Sequence, residues 1–130
     1  VIDTRSLLVV AAGAALGGML RFALTQLVVA RSGLAVAFYA TLFINVSGSL
    51  AIGVVAGLVQ TRPAFSPALR LFLTTGILGG YTTFSAFSLE VVTIASRGAA
   101  LTAVAYTLAS VGLGILAAFG GMAAGRALPP

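Results

Sequence analysis

The stretch Gly76-Ile77-Leu78-Gly79-Gly80-Tyr81-Thr82-Thr83-Phe84-Ser85-Ala86-Phe87 decides how this chain folds. It lies inside a long apolar run, about Ala68 to Ser96, yet its first eight residues include three glycines and two β-branched threonines. Both residue types weaken a helix, glycine through backbone entropy and threonine through crowding at Cβ. A helix running through the segment is therefore expected to break there. Within a bilayer, broken backbone is tolerated only where protein buries it or where it lines a watery cavity, because every freed amide and carbonyl needs a partner. Half-helix ends of this kind also make ion sites, amide ends favouring anions and carbonyl ends favouring cations. A glycine-rich packing crossover with no ion is the competing reading of the same residues.

That a bilayer is the solvent follows from composition. Of 130 residues, 60% are hydrophobic and only 7% charged, too little polar surface to coat a soluble globule. Four segments reach the roughly 20 residues that cross a hydrocarbon core: about 6–30, 34–59, 68–96 and 99–124. They make residues 1–130 one all-α transmembrane domain. Arg31-Ser32-Gly33 and Arg97-Gly98 connect spans on one side. The segment from Gln60 to Pro67 connects them on the other, with Pro63 and Pro67 expected to stop one helix and start the next. The first span is longer than a signal peptide's apolar core and carries Arg21, so it is read as a true span. With no Cys and no His, thiolate metal sites, disulfides and imidazole chemistry are absent. No nucleophile–base pair offers itself, and an enzyme is not expected.

All seven basic residues are arginines, against Asp3 and Glu90, for a net charge of +5. They form no stripe that a nucleic-acid backbone could follow, and most sit at the edges of apolar runs as headgroup anchors do. Four crossings place Arg5, Arg62, Arg70 and Arg126 on one side and Arg31 and Arg97 on the other. That bias is too small to fix orientation, so insertion both ways followed by an antiparallel dimer stands beside a single orientation. Gly13 and Gly17, Gly53 and Gly57, Gly76 and Gly80, and Gly121 and Gly125 share the spacing of close helix contacts. Most are expected to pack inside the bundle and at least one between subunits.

Further polar residues fall in register. Thr41, Asn45 and Ser49 make a stripe on span two, and Thr102, Tyr106 and Ser110 make one on span four. Facing each other, their amide and hydroxyl donors would replace part of an anion's hydration shell; interhelical hydrogen bonding is the plainer reading. Phe84 and Phe87 share a helical face beside the hydroxyls of Thr83 and Ser85. Alone they read as core residues, but the positive edge of an aromatic ring can also face an anion. Arg21 reads as an anchor or as the mouth of an anion-attracting vestibule. Glu90, three residues beyond Phe87, reads as a proton acceptor, a holder of a donor, or an exposed mouth residue.

Three motifs together resemble the small fluoride channels called Fluc or CrcB: Gly17-Gly18-Met19-Leu20-Arg21-Phe22, Asn45-Val46-Ser47-Gly48-Ser49, and the opening stretch from Gly76 to Phe87. The likeness spans nearly the whole chain, and its third motif is highly specific. It implies an antiparallel, dual-topology homodimer whose third helix is broken mid-membrane, passing fluoride passively out of a microbial cell and so protecting it from fluoride. It implies Phe84 and Phe87 as ring-edge fluoride ligands, Asn45 as a pore-lining donor, and Ser110 with Tyr106 as part of a hydroxyl track. It also implies a structural sodium ion at the dimer centre, held by the carbonyls of Gly79 and Thr82 from each subunit. Thr41, Thr83, Ser85 and Glu90 are placed along the same path. Phe22 stands where the family often has Tyr, Leu50 where it often has Phe, and Ala86 where it often has a hydroxyl, so one rung of the track is missing.

Two other functions fit parts of the sequence. A proton-coupled exporter of the small multidrug kind also has four spans but needs a membrane carboxylate, usually in span one, where this chain has Arg21. A non-conducting subunit of a larger membrane assembly fits the composition and glycine pairs, though not the aligned donors around phenylalanines. The expected location is a cell membrane, and the alanine-rich, lysine-free composition suggests the inner membrane of a bacterium.

Overall fold

The computed structural model describes residues 3–33, 36–62 and 65–129. Among these the chain is helical throughout, with no strand, and four stretches are long and apolar enough to cross a membrane. Helix α1 (Thr4–Ser32) starts at Asp3, whose carboxylate accepts the Ser6 hydroxyl at 2.6 Å and the Ser6 N–H at 2.8 Å. These bonds hold the exposed Asp3 carboxyl below the usual carboxylate range. The helix ends at Gly33, whose φ of +80° is open to glycine without strain. Helix α2 (Ala37–Thr61) follows. The third stretch (Pro67–Ser96) is composite, and α6 (Ala100–Ala127) closes the chain after Gly98, also at positive φ. The proposed start of span two at Leu34 and the stop at Pro63 lie outside the described residues. Pro67 does open its helix, in the first position where a missing N–H costs nothing, behind the Ser66 cap.

The third stretch consists of α3 (Pro67–Leu71), a π-helical segment (Phe72–Leu78), α4 (Gly79–Tyr81), two extended residues and α5 (Phe84–Ser96). In the widened turn the Gly79 N–H reaches back five residues to the Thr74 carbonyl. The glycines do not open the chain: Gly79 is helical at φ −65°, ψ −36°. The extended residues are the threonines, Thr82 at φ −78°, ψ 159° and Thr83 at φ −151°, ψ 120°. Their branched Cβ atoms suit that backbone. Thr83 then caps α5, its hydroxyl accepting the Ala86 N–H at 3.2 Å.

What the glycines supply is proximity. A Cβ on Gly76 would meet the Gly13 backbone, one on Gly80 the Ala14 backbone, and one on Gly17 the Ile77 carbonyl. On the other side of the bundle Gly53 and Gly57 of α2 meet Ala118 and Met122, while Gly121 and Gly125 of α6 meet Leu50 and Val54. All four glycine pairs are thus taken up within one chain. The expectation that one of them serves a second subunit is corrected, because the contacts they permit are already filled. The result is two tight helix pairs, α1 on the first part of the third stretch and α2 on α6, with α5 leaning on α6 and α2.

The interior is small: Ala40, Ile44, Tyr81, Phe87, Ala103 and Tyr106, together with Thr41 and Ser110. Large apolar side chains such as Leu8, Phe22, Phe43, Leu101, Leu108 and Phe119 face outward from every span but the third. Leu89 and Val92 do the same from the third. Such a surface is stable against acyl chains and not against water.

Candidate functional site

The two helix pairs leave a groove of about 440 Å³ between α2, α6 and the middle of the third stretch. Asn45, Ser49, Gly79, Thr82, Thr83, Phe84, Phe87 and Ser110 line it, so most of the candidates read from the sequence converge here. No lining residue is charged. A wall of neutral donors and aromatic side chains can meet an anion without the repulsion a carboxylate would bring or the trap a guanidinium would set.

Asn45 does more than line this wall. Its Nδ2 donates to the Thr83 carbonyl at 2.9 Å, and its Oδ1 accepts the Thr83 N–H at 2.8 Å. Gly48, one turn along α2, makes room for the neighbouring Thr82, since a Cβ there would collide with the Thr82 methyl. Ser110, 9% exposed, has a fully buried hydroxyl with no hydrogen-bond partner among the described residues. The two phenylalanines differ sharply. Phe87 is 7% exposed and Phe84 is 79% exposed, their ring centroids 5.7 Å apart. The Phe87 and Tyr106 rings also form a T-shaped pair, centroids 5.3 Å apart.

Behind Phe87 lies a second cluster, outside the groove's lining. Glu90 accepts the Thr41 hydroxyl on one carboxylate oxygen and the Tyr106 hydroxyl on the other, each at 2.7 Å. Thr41 and Tyr106 are buried, so of the readings offered for Glu90 the geometry matches a carboxylate that holds donors in place. Ser85 is exposed and makes only a long, 3.4 Å contact with the Thr83 hydroxyl. Thr102 is exposed and does not join Tyr106 and Ser110 in the interior.

Arg21 is half-buried, and its Nε donates to the Gly80 carbonyl at 3.1 Å. A helix end leaves carbonyls without partners, and here α1 supplies one. The sequence offered no sign of this bond, which spans 59 residues. It was equally silent on the hydroxyl pair Ser47 and Tyr81, 2.9 Å apart, which ties α2 to α4; the only hint was that Ser47 sits in the Asn45 motif.

Fold and groove define a four-span helical membrane protein with a neutral, aromatic-walled cleft. The chain belongs to the CrcB family, whose model, described as CrcB-like protein, Camphor Resistance (CrcB), matches residues 8–122. It is 46% identical over 122 residues to the fluoride-specific ion channel FluC of Rhizobium meliloti (strain 1021), covering 94% of this chain and 97% of that one. It is 49% identical over 126 residues to the FluC of Beijerinckia indica subsp. indica, covering 95% and 98%. With the FluC of Methylobacterium sp. (strain 4-46) it shares 52% identity over 108 residues, covering 83% and 86%. The chain is accordingly a multi-pass membrane protein of a channel family.

Proposed function

We propose that this chain is a fluoride-selective channel that lets the ion leave a bacterial cell passively, protecting it from fluoride, and that it works as an antiparallel, dual-topology homodimer. The observation that carries this reading is the unpaired, buried Ser110 hydroxyl in the wall of an uncharged groove that also holds Phe84 and Phe87. A stranded buried hydroxyl costs about 1–3 kcal/mol unless something meets it, and a small hard anion in transit would do so. The names of the similar proteins give that anion as fluoride. In this reading Thr82 and Thr83 lie at mid-membrane depth, the groove's open side is closed by the second copy, and Thr41, Tyr106 and Glu90 continue the polar path beyond Phe87. The arginine bias of four against two is compatible with insertion both ways.

The end of α4 fits the structural sodium ion that the family likeness implies. The Leu78 carbonyl is used by the Thr82 N–H and hydroxyl, and the Gly80 carbonyl by Arg21. Among the described residues, the Gly79 and Thr82 carbonyls accept no hydrogen bond. Two hard oxygens from each of two copies would surround a monovalent cation, whose charge would offset the carbonyl dipoles there. Purified protein is expected to melt at a higher temperature in sodium than in N-methylglucamine; equal melting in both would remove the site.

Fluoride efflux from liposomes holding only this protein, compared with chloride efflux, tests the function. Efflux of neither ion would favour a non-conducting assembly subunit. Ser110→Ala is expected to lower fluoride efflux about tenfold, roughly 1.4 kcal/mol in the barrier. Its melting temperature should not fall, since no hydrogen bond is lost. Unchanged efflux would take Ser110 off the path.

A further inference from the structure

We infer that Asn45 is a positioning residue: its side-chain amide replaces the backbone pairing that the extended Thr83 forgoes, and so fixes where Phe84 and Phe87 stand. This deepens the channel reading and rests on it. Where α4 ends and α5 begins, Thr83 carries one N–H and one C=O that no helix turn satisfies. Asn45 meets both at once, Nδ2 to the carbonyl at 2.9 Å and Oδ1 to the N–H at 2.8 Å. A carboxamide has the donor–acceptor pattern of a peptide group, so Asn does here what a neighbouring strand would do in a sheet. Asp offers no donor, Ala offers neither, and Gln is one methylene too long for the same reach. Gly48, on the same face of α2 one turn on, lets the extended backbone approach closely enough for the pair to form.

The consequence for the site follows from chain connectivity. Thr83 is the N-cap of α5, and Phe84 and Phe87 stand on its first turn. The direction of α5 is set by the two extended residues, and Asn45 holds the second of them to α2. Apart from that bond the Thr83 backbone has no hydrogen bond among the described residues. Loss of the amide would free the start of α5 to shift against α2, and a ring edge displaced by 1 Å no longer meets an ion held by Ser110.

The test is hydrogen exchange of the full-length protein in lipid nanodiscs, read together with fluoride efflux, for wild type and Asn45→Ala. The expected result is at least tenfold faster amide exchange over residues 82–86 with α2 and α6 unchanged, and at least tenfold slower efflux. Slower efflux with unchanged exchange would overturn the inference, leaving Asn45 as a mere lining donor. Faster exchange with unchanged efflux would overturn it too, since the pairing would not matter to conduction. If Asn45→Ala does not give folded protein, Asn45→Leu is read in the same way, because it keeps the branched shape and removes donor and acceptor without adding a charge to the groove. A wild-type measurement is independent of both: one of the two Asn45 Nδ2 protons should exchange slowly by NMR, and solvent-rate exchange of both would overturn the pairing outright. Were wild type to carry no fluoride, the channel reading would fail, while the exchange data would still decide whether Asn45 holds Thr83.

Discussion

Phe84→Ile is expected to lower fluoride efflux about 100-fold without lowering the melting temperature of the protein. The size follows from the cost of dehydrating a small anion. An ion that gives up water in an uncharged groove depends on every compensating contact, each worth about 1–3 kcal/mol when its loss strands a polar or charged group. A barrier raised by about 2.7 kcal/mol slows passage about 100-fold. Isoleucine fills similar space but has no quadrupole and hence no positive edge. Phe84 is the informative position because it is 79% exposed and touches little within the chain, so a slower channel would not be a poorly folded one. Phe87→Ile should slow efflux as much but also cost about 1–2 kcal/mol in stability, since Phe87 is buried and forms a T-shaped pair with Tyr106. Efflux is read with a fluoride electrode on reconstituted liposomes, and the dimer by size-exclusion chromatography in detergent. Wild-type efflux in both variants would end the ring-edge role.

How much of this was legible in the sequence varies by feature, for reasons that can be traced to single residues. The four membrane stretches were, because apolar length is a property of contiguous residues and the bilayer sets one threshold for all of them. That Gly76 to Thr83 makes a poor helix was legible as well, but which residues leave it was not. The glycines looked weakest by propensity, yet they stay helical, and for Gly76 and Gly80 close backbone contact with α1 rewards the missing Cβ. The extended residues are instead Thr82 and Thr83, whose intrinsic preference is not opposed by any such contact. Among the polar candidates, spacing along a helix identified faces but not partners. Thr41, Asn45 and Ser49 share a stripe, yet Thr41 serves Glu90 while Asn45 serves the Thr83 backbone. Pairings across 38 or 49 residues depend on how helices cross, which no local pattern encodes. The glycine pairs failed as pointers to a dimer for the same reason: their spacing shows that something comes close, not what.

Gly17→Ala is expected to destabilise the protein by about 2–3 kcal/mol, while Gly18→Ala, one residue on, costs nothing. The added Cβ at Gly17 would overlap the Ile77 carbonyl oxygen and crowd the Tyr81 amide nitrogen, both of them backbone atoms. A flexible side chain could rotate away, whereas these atoms belong to the π-helical segment and to α4 and move only if α1 withdraws. The same methyl at Gly18 meets nothing within 4 Å. Alanine there should gain slightly, up to about 1 kcal/mol, from higher helix propensity. Withdrawal of α1 also reaches the groove, because Arg21 lies one turn beyond Gly17 and its Nε bond to the Gly80 carbonyl steadies the end of α4. Gly17→Ala should therefore lower both the melting temperature and the fluoride efflux, and Gly18→Ala neither. Equal behaviour of the two variants would mean that α1 is not seated on Ile77 as described, and the coupling from Arg21 to the groove would fall with it.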